Sequence, residues 1–144
     1  MSSVQAICIS EKKGERKTPV ESAVFRADHG IETDAHAGKW HRQVSLLAAE
    51  DIDTIRRKGM ADLAAGDFAE NVIVSGLPLE TCGLGTRLKL GDTVTLSISQ
   101  IGKVCHTPCQ IFYQTGDCIM PRLGLFARVE TGGTVAVGDS AELL

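Results

Sequence analysis

Between Thr93 and Ser99, three aliphatic residues alternate one by one with four serines and threonines. Successive side chains of a β-strand point to opposite faces, so this alternation predicts a strand with one buried face. The buried face of such a strand must pack against other elements, which restricts the chain to folds that contain a β-sheet.

Two glycine-aspartate pairs interrupt the apolar segments of the second half of the chain. The first, Gly91–Asp92, lies between Leu88–Leu90 and the alternating strand. The second, Gly138–Asp139, lies between Thr134–Val137 and Ala141–Leu144. Because such pairs are typical of tight turns, we predict a hairpin-like junction at each of them.

Other apolar segments predict more strands and one helix. Strands are predicted at Val4–Ser10, Val20–Arg26 and Gln43–Leu47, and from Leu125 onward. Ile52 and Ile55 at helical spacing predict a helix over Ala49–Lys58, with acids in its first turn and bases in its last. The charged stretch Glu11–Lys17 cannot extend a buried strand and is predicted to be an exposed loop.

One helix among many short strands favours a mainly β fold over a doubly wound α/β sheet. We predict a small closed or nearly closed β-barrel with one or two short helices. The 144 residues are within the usual size of one domain. No linker, low-complexity tract or repeat divides them, so a single domain over residues 1–144 is predicted.

Charge and hydropathy exclude several classes of function. The net charge is −3 and the isoelectric point is about 5.8, so the basic surface that dominates binding to nucleic acid is missing. No apolar run approaches the roughly 18 residues of a membrane span, and the first residues do not resemble a secretion signal. We therefore expect a cytoplasmic protein without nucleic-acid or membrane partners.

Three of the five cysteines, Cys105, Cys109 and Cys118, fall in one stretch between the alternating strand and the strand that begins at Leu125. A thiolate is a soft metal ligand and a nucleophile, and nearby cations stabilise it. Lys103 and His106 flank Cys105. Because these neighbours are polar, a functional cysteine and a buried filler are equally supported at Cys105 by the pattern alone, whereas filler is the natural interpretation of the two remaining cysteines, at positions 8 and 82.

Two other interpretations of the cysteine stretch remain open. Cys105, His106, Cys109 and Cys118 could hold structural zinc, although only the first pair has the usual ligand spacing. A redox dithiol is less favoured, because three residues separate Cys105 from Cys109 instead of the two of thioredoxin-like motifs.

A second candidate region surrounds the only tryptophan, Trp40. His36, His41 and Arg42 lie beside it, and the guanidinium group of arginine presents a planar fork suited to phosphate. These side chains could hold an anionic ligand, or they could simply be solvated.

Four more polar residues are candidates for supporting roles. Glu70 and Asn71 stand between apolar residues, so they either fasten a neighbouring loop by hydrogen bonds, which is favoured, or face a pocket. Arg122 and Arg128 could add positive charge near the cysteines or face solvent.

Several segments together resemble the MOSC domain, in particular its short stand-alone bacterial versions, and the module is also found at the C-terminus of eukaryotic molybdenum cofactor sulfurases. The likeness spans the first strand to the last residue. The segments that carry it are DAHAGKWHRQVSLL, GDFAENVIVSGL, LGTRLKLGD, SQIGKVCHTPCQIF and GDCIMPRLGLFARVETGGTVAVGD.

The resemblance implies a mostly β-barrel fold and a cysteine that binds molybdenum cofactor or carries sulfur for it. The family's cysteine follows a strand that carries a Ser-Gln-like pair, and Cys105 occupies this position after Ser99 and Gln100. Cys105 is thus the expected catalytic residue, with Cys109 and Cys118 as further candidate metal ligands. The expected residues around a pterin-phosphate pocket are His36, His41, Arg42, Glu70, Asn71, Lys103, His106 and Arg128.

The chain also departs from larger relatives. It lacks the additional barrel domain of amidoxime reductases and the pyridoxal-phosphate domain of sulfurases, so neither activity is transferred. Two alternatives to cofactor handling stay open. One is a structural zinc or protein-interaction module that docks on molybdoenzymes or cofactor-assembly proteins, and the other is a small reductase of N-hydroxylated compounds that uses bound cofactor.

Overall fold

The fold is given by a computed structural model, which describes residues 2–12, 16–57, 64–102 and 124–144. Within these ranges the chain forms eleven strands, one α-helix and one 3-10 turn. The strands are β1 Ser3–Ile9, β2 Thr18–Val20, β3 Ser22–Arg26, β4 Gly30–Ile31, β5 Val44–Ala48, β6 Val72–Ser75, β7 Arg87–Leu90, β8 Val94–Ile101, β9 Leu125–Thr131, β10 Gly133–Ala136 and β11 Ala141–Leu143. The helix α1 is Ala49–Arg57 and the 3-10 turn is Leu79–Thr81.

Eight strands form one sheet in the order β11-β7-β8-β9-β5-β6-β1-β2, and β10, β3 and β4 form a second sheet. The pairs of the large sheet are antiparallel except β5 and β6, which are parallel and connected through α1. A parallel pair requires such a crossover, because a tight hairpin can join only antiparallel strands. The predicted mainly β fold is confirmed.

The predicted closed barrel is not confirmed. In the described residues the large sheet ends at β11 on one side and at β2 on the other. Next to β11, Ser140 forms an isolated bridge with Ser3 of β1, and the segment 138–141 forms backbone hydrogen bonds with residues 2–4, including one of 2.8 Å from the Val4 amide to the Asp139 carbonyl.

Two predictions about strands were wrong in detail. The strand predicted over Val20–Arg26 is broken at Glu21, because β2 pairs with β1 in the large sheet while β3 pairs with β10 in the small one. The Gly91–Asp92 hairpin is confirmed by the antiparallel pairing of β7 and β8. At Gly138–Asp139 the two flanking strands belong to different sheets, since β11 pairs with β7, so that junction is no hairpin.

The central strand β5 is buried along its whole length, with core on both faces. Val44, Leu46 and Ala48 belong to the main apolar cluster, whereas Leu47 packs with Ile52 of α1 in a second cluster. The second cluster consists of Leu47, Ile52, Phe68, Ala69, Ile73 and Phe126. This burial explains the nearly continuous apolar run of β5, which lacks the alternation of a strand with a solvated face.

The helix α1 carries Glu50 and Asp51 in its first turn and Arg56 and Arg57 in its last, as predicted from the sequence. This charge order complements the helix dipole. None of the helices in the described ranges is long and apolar enough to cross a membrane.

Candidate functional site

The segment 32–43, here called the site loop, connects β4 to β5 and folds around Trp40. The indole Nε1 of Trp40 donates a hydrogen bond of 2.7 Å to the carbonyl oxygen of His36. The rings of His36 and Trp40 are parallel to within 2°, with their centroids 6.3 Å apart. The His41 ring meets the Trp40 ring edge-on, with a centroid distance of 5.8 Å. The structure therefore brings together the two histidines that the sequence predicted as ligand-binding residues.

Arg42, at the end of the site loop, lies between two aromatic rings. Its guanidinium carbon is 5.2 Å from the centre of the Trp40 ring and 5.7 Å from that of Phe126 on β9. The Nε atom is buried and has no hydrogen-bond partner among the residues that the structure describes. A buried donor without an acceptor costs about 1–3 kcal/mol, so Arg42 is suited to receive an anionic oxygen.

The site loop is attached to β8 and β9 by polar contacts. The Ser99 hydroxyl, near the end of β8, donates to the carbonyl oxygen of His41. Shortly after it, the Gly102 amide donates to the Gly124 carbonyl at 2.6 Å and joins the ends of β8 and β9. Gly102 and Gly124, the last described residue before the segment 103–123 and the first after it, are therefore neighbours in space.

Gln43 is the last residue of the site loop, and its side chain forms hydrogen bonds with two other segments of the chain. Its fully buried amide donates to the Asp28 carboxylate at 3.1 Å and accepts from the Val129 amide at 2.9 Å. The sequence predicts Gln43 as the first residue of a strand, but β5 begins at Val44, and only the contacts with Asp28 and Val129 reveal that Gln43 supports the site.

A buried charged cluster lies beneath the loop, at Lys17. The Lys17 ammonium group donates to Asp34 Oδ1 at 2.7 Å and to Ser10 Oγ at 3.0 Å, and it lies 2.9 Å from His36 Nδ1. The side chains of Lys17 and Asp34 are fully shielded from solvent. The prediction that the Glu11–Lys17 stretch is an exposed loop is therefore wrong at Lys17.

Burial and charge act in opposite directions on this pair. Burial by itself raises the pKa of the Asp34 carboxyl, but attraction to Lys17 and hydrogen bonds from Lys17, Ser10 and His36 hold it below its ordinary value. Burial lowers the pKa of Lys17, and the attraction of Asp34 opposes this shift. No signal in the lysine-rich sequence distinguishes Lys17, whereas Asp34 could have been considered because it stands two residues before His36.

Glu70 is fully buried, and its side chain stabilises the turn that precedes it in the chain. Its two carboxylate oxygens accept hydrogen bonds of 3.0 Å from the backbone amides of Gly66 and Phe68. Burial raises the pKa of Glu70 to about 7, although these backbone bonds lower it. These contacts agree with the fastening role favoured for Glu70.

Asn71 is also fully buried and joins three parts of the chain. Its side-chain oxygen accepts from the Ser45 amide at 2.9 Å, and its side-chain nitrogen donates to the Cys8 carbonyl at 3.0 Å. Asn71 thereby links β1 to β5, as expected for the fastening alternative, and its predicted contact with a ligand stays a prediction.

With this geometry established, the chain can be compared with known proteins. The family model described as the MOSC domain matches residues 33–142. This chain belongs to the MOSC domain family. The matched residues include the site loop almost completely, but they begin after Lys17.

Three solved structures are similar to this MOSC domain in fold. The YuaD protein from Bacillus subtilis has a TM-score of 0.80 at 20% identity, covering 99% of this chain and 96% of that chain. YiiM from Geobacillus stearothermophilus has a TM-score of 0.76 at 19% identity, with coverages of 100% and 75%. YiiM from Escherichia coli has a TM-score of 0.69 at 17% identity, covering 99% of this chain and 69% of that chain. These identities establish a shared fold alone, and no curated protein sequence matches the chain.

Several predicted residues of this MOSC domain lie outside the described residues, and their predicted roles stay predictions. They are Lys103, Cys105, His106, Cys109, Cys118 and Arg122. Within the described ranges, no group of three or more His, Cys, Asp or Glu side chains could hold a metal ion. Arg128 is described, and its exposed side chain on β9 agrees with the solvent-facing alternative.

The other two cysteines of the MOSC domain are buried. Cys8 is fully shielded from solvent, and burial raises its pKa to about 12. Burial also raises the pKa of Cys82. Both thiols agree with the filler interpretation, because only the thiolate is reactive.

Proposed function

We propose that this protein binds the molybdenum cofactor and uses Cys105 either to hold the molybdenum or to carry sulfur for it. The observation that carries this proposal is the position of Arg42 Nε, a buried donor without a partner in the described residues. The site loop that holds it is joined to Ser99, which stands six residues before Cys105 in the sequence. Membership of the MOSC family supports molybdenum cofactor as the ligand.

The described residues fit the anionic end of such a cofactor. A phosphate oxygen would satisfy the Arg42 Nε–H, and the flanking rings of Trp40 and Phe126 hold the guanidinium plane in place. His36 and His41 lie on the same loop and would add hydrogen bonds. The additional proposed contributors of positive charge are Lys103, His106 and Arg128.

Cys105 would supply a thiolate, which is a soft ligand for a metal. The cofactor would bring the molybdenum to which a thiolate binds well, and Cys109 and Cys118 are the alternative thiols. Glu70 and Asn71 would act indirectly, by keeping the strands and turns under the site in place. As a single MOSC domain in the cytoplasm, the protein would exchange its cargo with molybdoenzymes or cofactor-assembly proteins.

The proposal is tested by incubating purified protein with molybdenum cofactor and measuring the molybdenum that stays bound after gel filtration. We expect retention by the wild type and by Cys82→Ser, and loss in Cys105→Ser. Equal retention by Cys105→Ser would remove Cys105 from the role, and no retention by the wild type would reject cofactor binding. Mass measurement of the intact protein isolated under mild conditions would show whether a persulfide is the cargo.

A further inference from the structure

We infer that Lys17 fixes His36 as the neutral tautomer protonated at Nε2, so that Nε2 carries an N–H donor and no lone pair for a metal. The tautomer follows from contacts within the protein itself, above all the one between Lys17 and His36. Its consequence for the ligand rests on the proposed function, since it specifies how the site would contact an oxygen of a bound anion.

Lys17 has as many polar neighbours as its ammonium group has N–H donors. An ammonium group has three N–H donors and no acceptor. Its nitrogen has three neighbours at hydrogen-bond distance, which are Asp34 Oδ1, Ser10 Oγ and His36 Nδ1. Each N–H is therefore matched by one neighbour, provided that all three neighbours accept.

Asp34 and Ser10 both act as hydrogen-bond acceptors toward Lys17 in this cluster. The Asp34 carboxylate also accepts from the backbone amides of Ser10 at 3.0 Å and of His36 at 3.1 Å. The Ser10 hydroxyl donates its proton to the Lys12 carbonyl at 3.0 Å, so it meets Lys17 with a lone pair. These contacts agree with a charged Asp34–Lys17 pair, in which the third N–H of Lys17 is directed to His36.

The His36 imidazole faces Lys17 with its Nδ1 atom. A proton on His36 Nδ1 would face the Lys17 ammonium 2.9 Å away, donor against donor. Asp34 Oδ2 is 3.9 Å from Nδ1, which is too far for a hydrogen bond between these two atoms. Nδ1 therefore carries its lone pair toward Lys17, and the proton of the neutral ring is on Nε2.

This tautomer determines which ligand atoms His36 can meet. Nδ1 is occupied by Lys17, and a protonated Nε2 cannot coordinate a metal, since ligation needs a lone pair. The ring plane is held by the parallel Trp40 ring and by the bond from Trp40 to the His36 carbonyl. His36 would thus donate to an oxygen acceptor, as Arg42 on the same loop would do. Lys17 acts as a positioning residue, because it works through His36.

Nitrogen NMR of the protein without ligand tests the tautomer directly. In long-range 15N–1H spectra of wild type, with His36 assigned by loss of its signals in His36→Gln, we expect a pyridine-type Nδ1 and a pyrrole-type Nε2. A pyrrole-type Nδ1 or an averaged pair of signals would overturn the inference. In Lys17→Met we expect an averaged tautomer mixture, while Lys89→Met, which removes a lysine from β7, should leave the His36 signals unchanged. An unchanged tautomer in folded Lys17→Met would remove Lys17 from the role, and the wild-type spectrum still decides if that variant does not fold.

Two substitutions at His36 test the consequence for the ligand. Glutamine can place an N–H donor where Nε2 stands, whereas asparagine is too short to reach that position. With molybdenum cofactor as the probe, we expect His36→Gln to bind nearly as wild type and His36→Asn to bind about tenfold or more weakly. Equal losses in both variants would contradict the donor role. If wild type binds no cofactor, the proposed function fails together with this consequence, whereas the tautomer is still decided by the apo spectra.

Discussion

Gly66 lies directly against the backbone of Lys17. The Lys17 amide donates a hydrogen bond of 2.9 Å to the Gly66 carbonyl, and a Cβ atom added to Gly66 would lie 1.9 Å from the Lys17 carbonyl oxygen. Gly66 also has φ of +92°, a conformation that favours glycine. The contact places the turn held by Glu70 beside the charged cluster of Lys17, so two buried polar networks support each other.

Replacement of Gly66 by alanine is expected to be severe, because a steric overlap with backbone adds to the strain of a positive φ. We expect Gly66→Ala to lower the free energy of unfolding by about 3 kcal/mol or more. Gly85→Ala is the matched control, since Gly85 has φ of +85° but open space around its Cβ position; it should cost about 1 kcal/mol. Urea denaturation measures both, and equal losses would show that the contact with Lys17 does not matter.

Glu70 is expected to make the stability depend on pH. Its pKa is about 7 in the folded protein against an ordinary 4.5, so between these values the folded chain keeps a proton that the unfolded chain has released. Stability from this group is therefore complete below pH 4.5, falls as pH rises to about 7, and changes no further above. The loss is up to about 3 kcal/mol.

Urea denaturation at pH 4.5 and pH 7.5 checks this dependence. Glu70→Gln cannot titrate and should lose less stability than wild type when the pH is raised. Glu130→Gln removes an exposed carboxyl that pairs with Arg87, and it should keep the wild-type slope. Parallel curves for wild type and Glu70→Gln would contradict the assignment.

Arg42 is expected to matter for binding more than for folding. Arg42→Ala should weaken molybdenum cofactor binding about tenfold or more, because a hydrogen bond to a charged group contributes about 1.5–3 kcal/mol. Arg42→Lys should also weaken it, since lysine lacks the planar fork. Equilibrium binding is compared with Arg87→Ala, which removes an exposed arginine on β7. Wild-type affinity in Arg42→Ala would leave the unpartnered Nε without a functional explanation.

Cys8 is expected to resist alkylation in the native protein. With a pKa of about 12, about one Cys8 thiol in ten thousand is ionised at pH 8, and the side chain is fully shielded from solvent. Peptide mass spectrometry after iodoacetamide treatment should find Cys8 unlabelled without urea and labelled in its presence. Labelling of native Cys8 as fast as that of a free thiol would show that β1 opens readily.

The sequence predicts the candidate site in part. His36, His41 and Arg42 are predicted because two histidines and an arginine suited to phosphate lie beside the only tryptophan, and the structure gathers these side chains around Trp40. Lys17 was missed because a buried lysine and an exposed one look alike in a lysine-rich stretch. Its burial depends on Asp34 and Ser10, which the fold brings to it from other segments.

Three features can be read from the order of the amino acids alone: the mainly β character, the span of α1 as far as the structure describes it, and the hairpin of β7 and β8. These features follow from side-chain periodicity and turn residues, which act over a few neighbouring positions. Three other features become apparent only in the folded chain: β10 and β11 belong to different sheets, Lys17 is buried, and Arg42 lies over the rings of Trp40 and Phe126. Each of these depends on contacts between residues far apart in the chain, and those contacts leave no period or spacing in the local sequence.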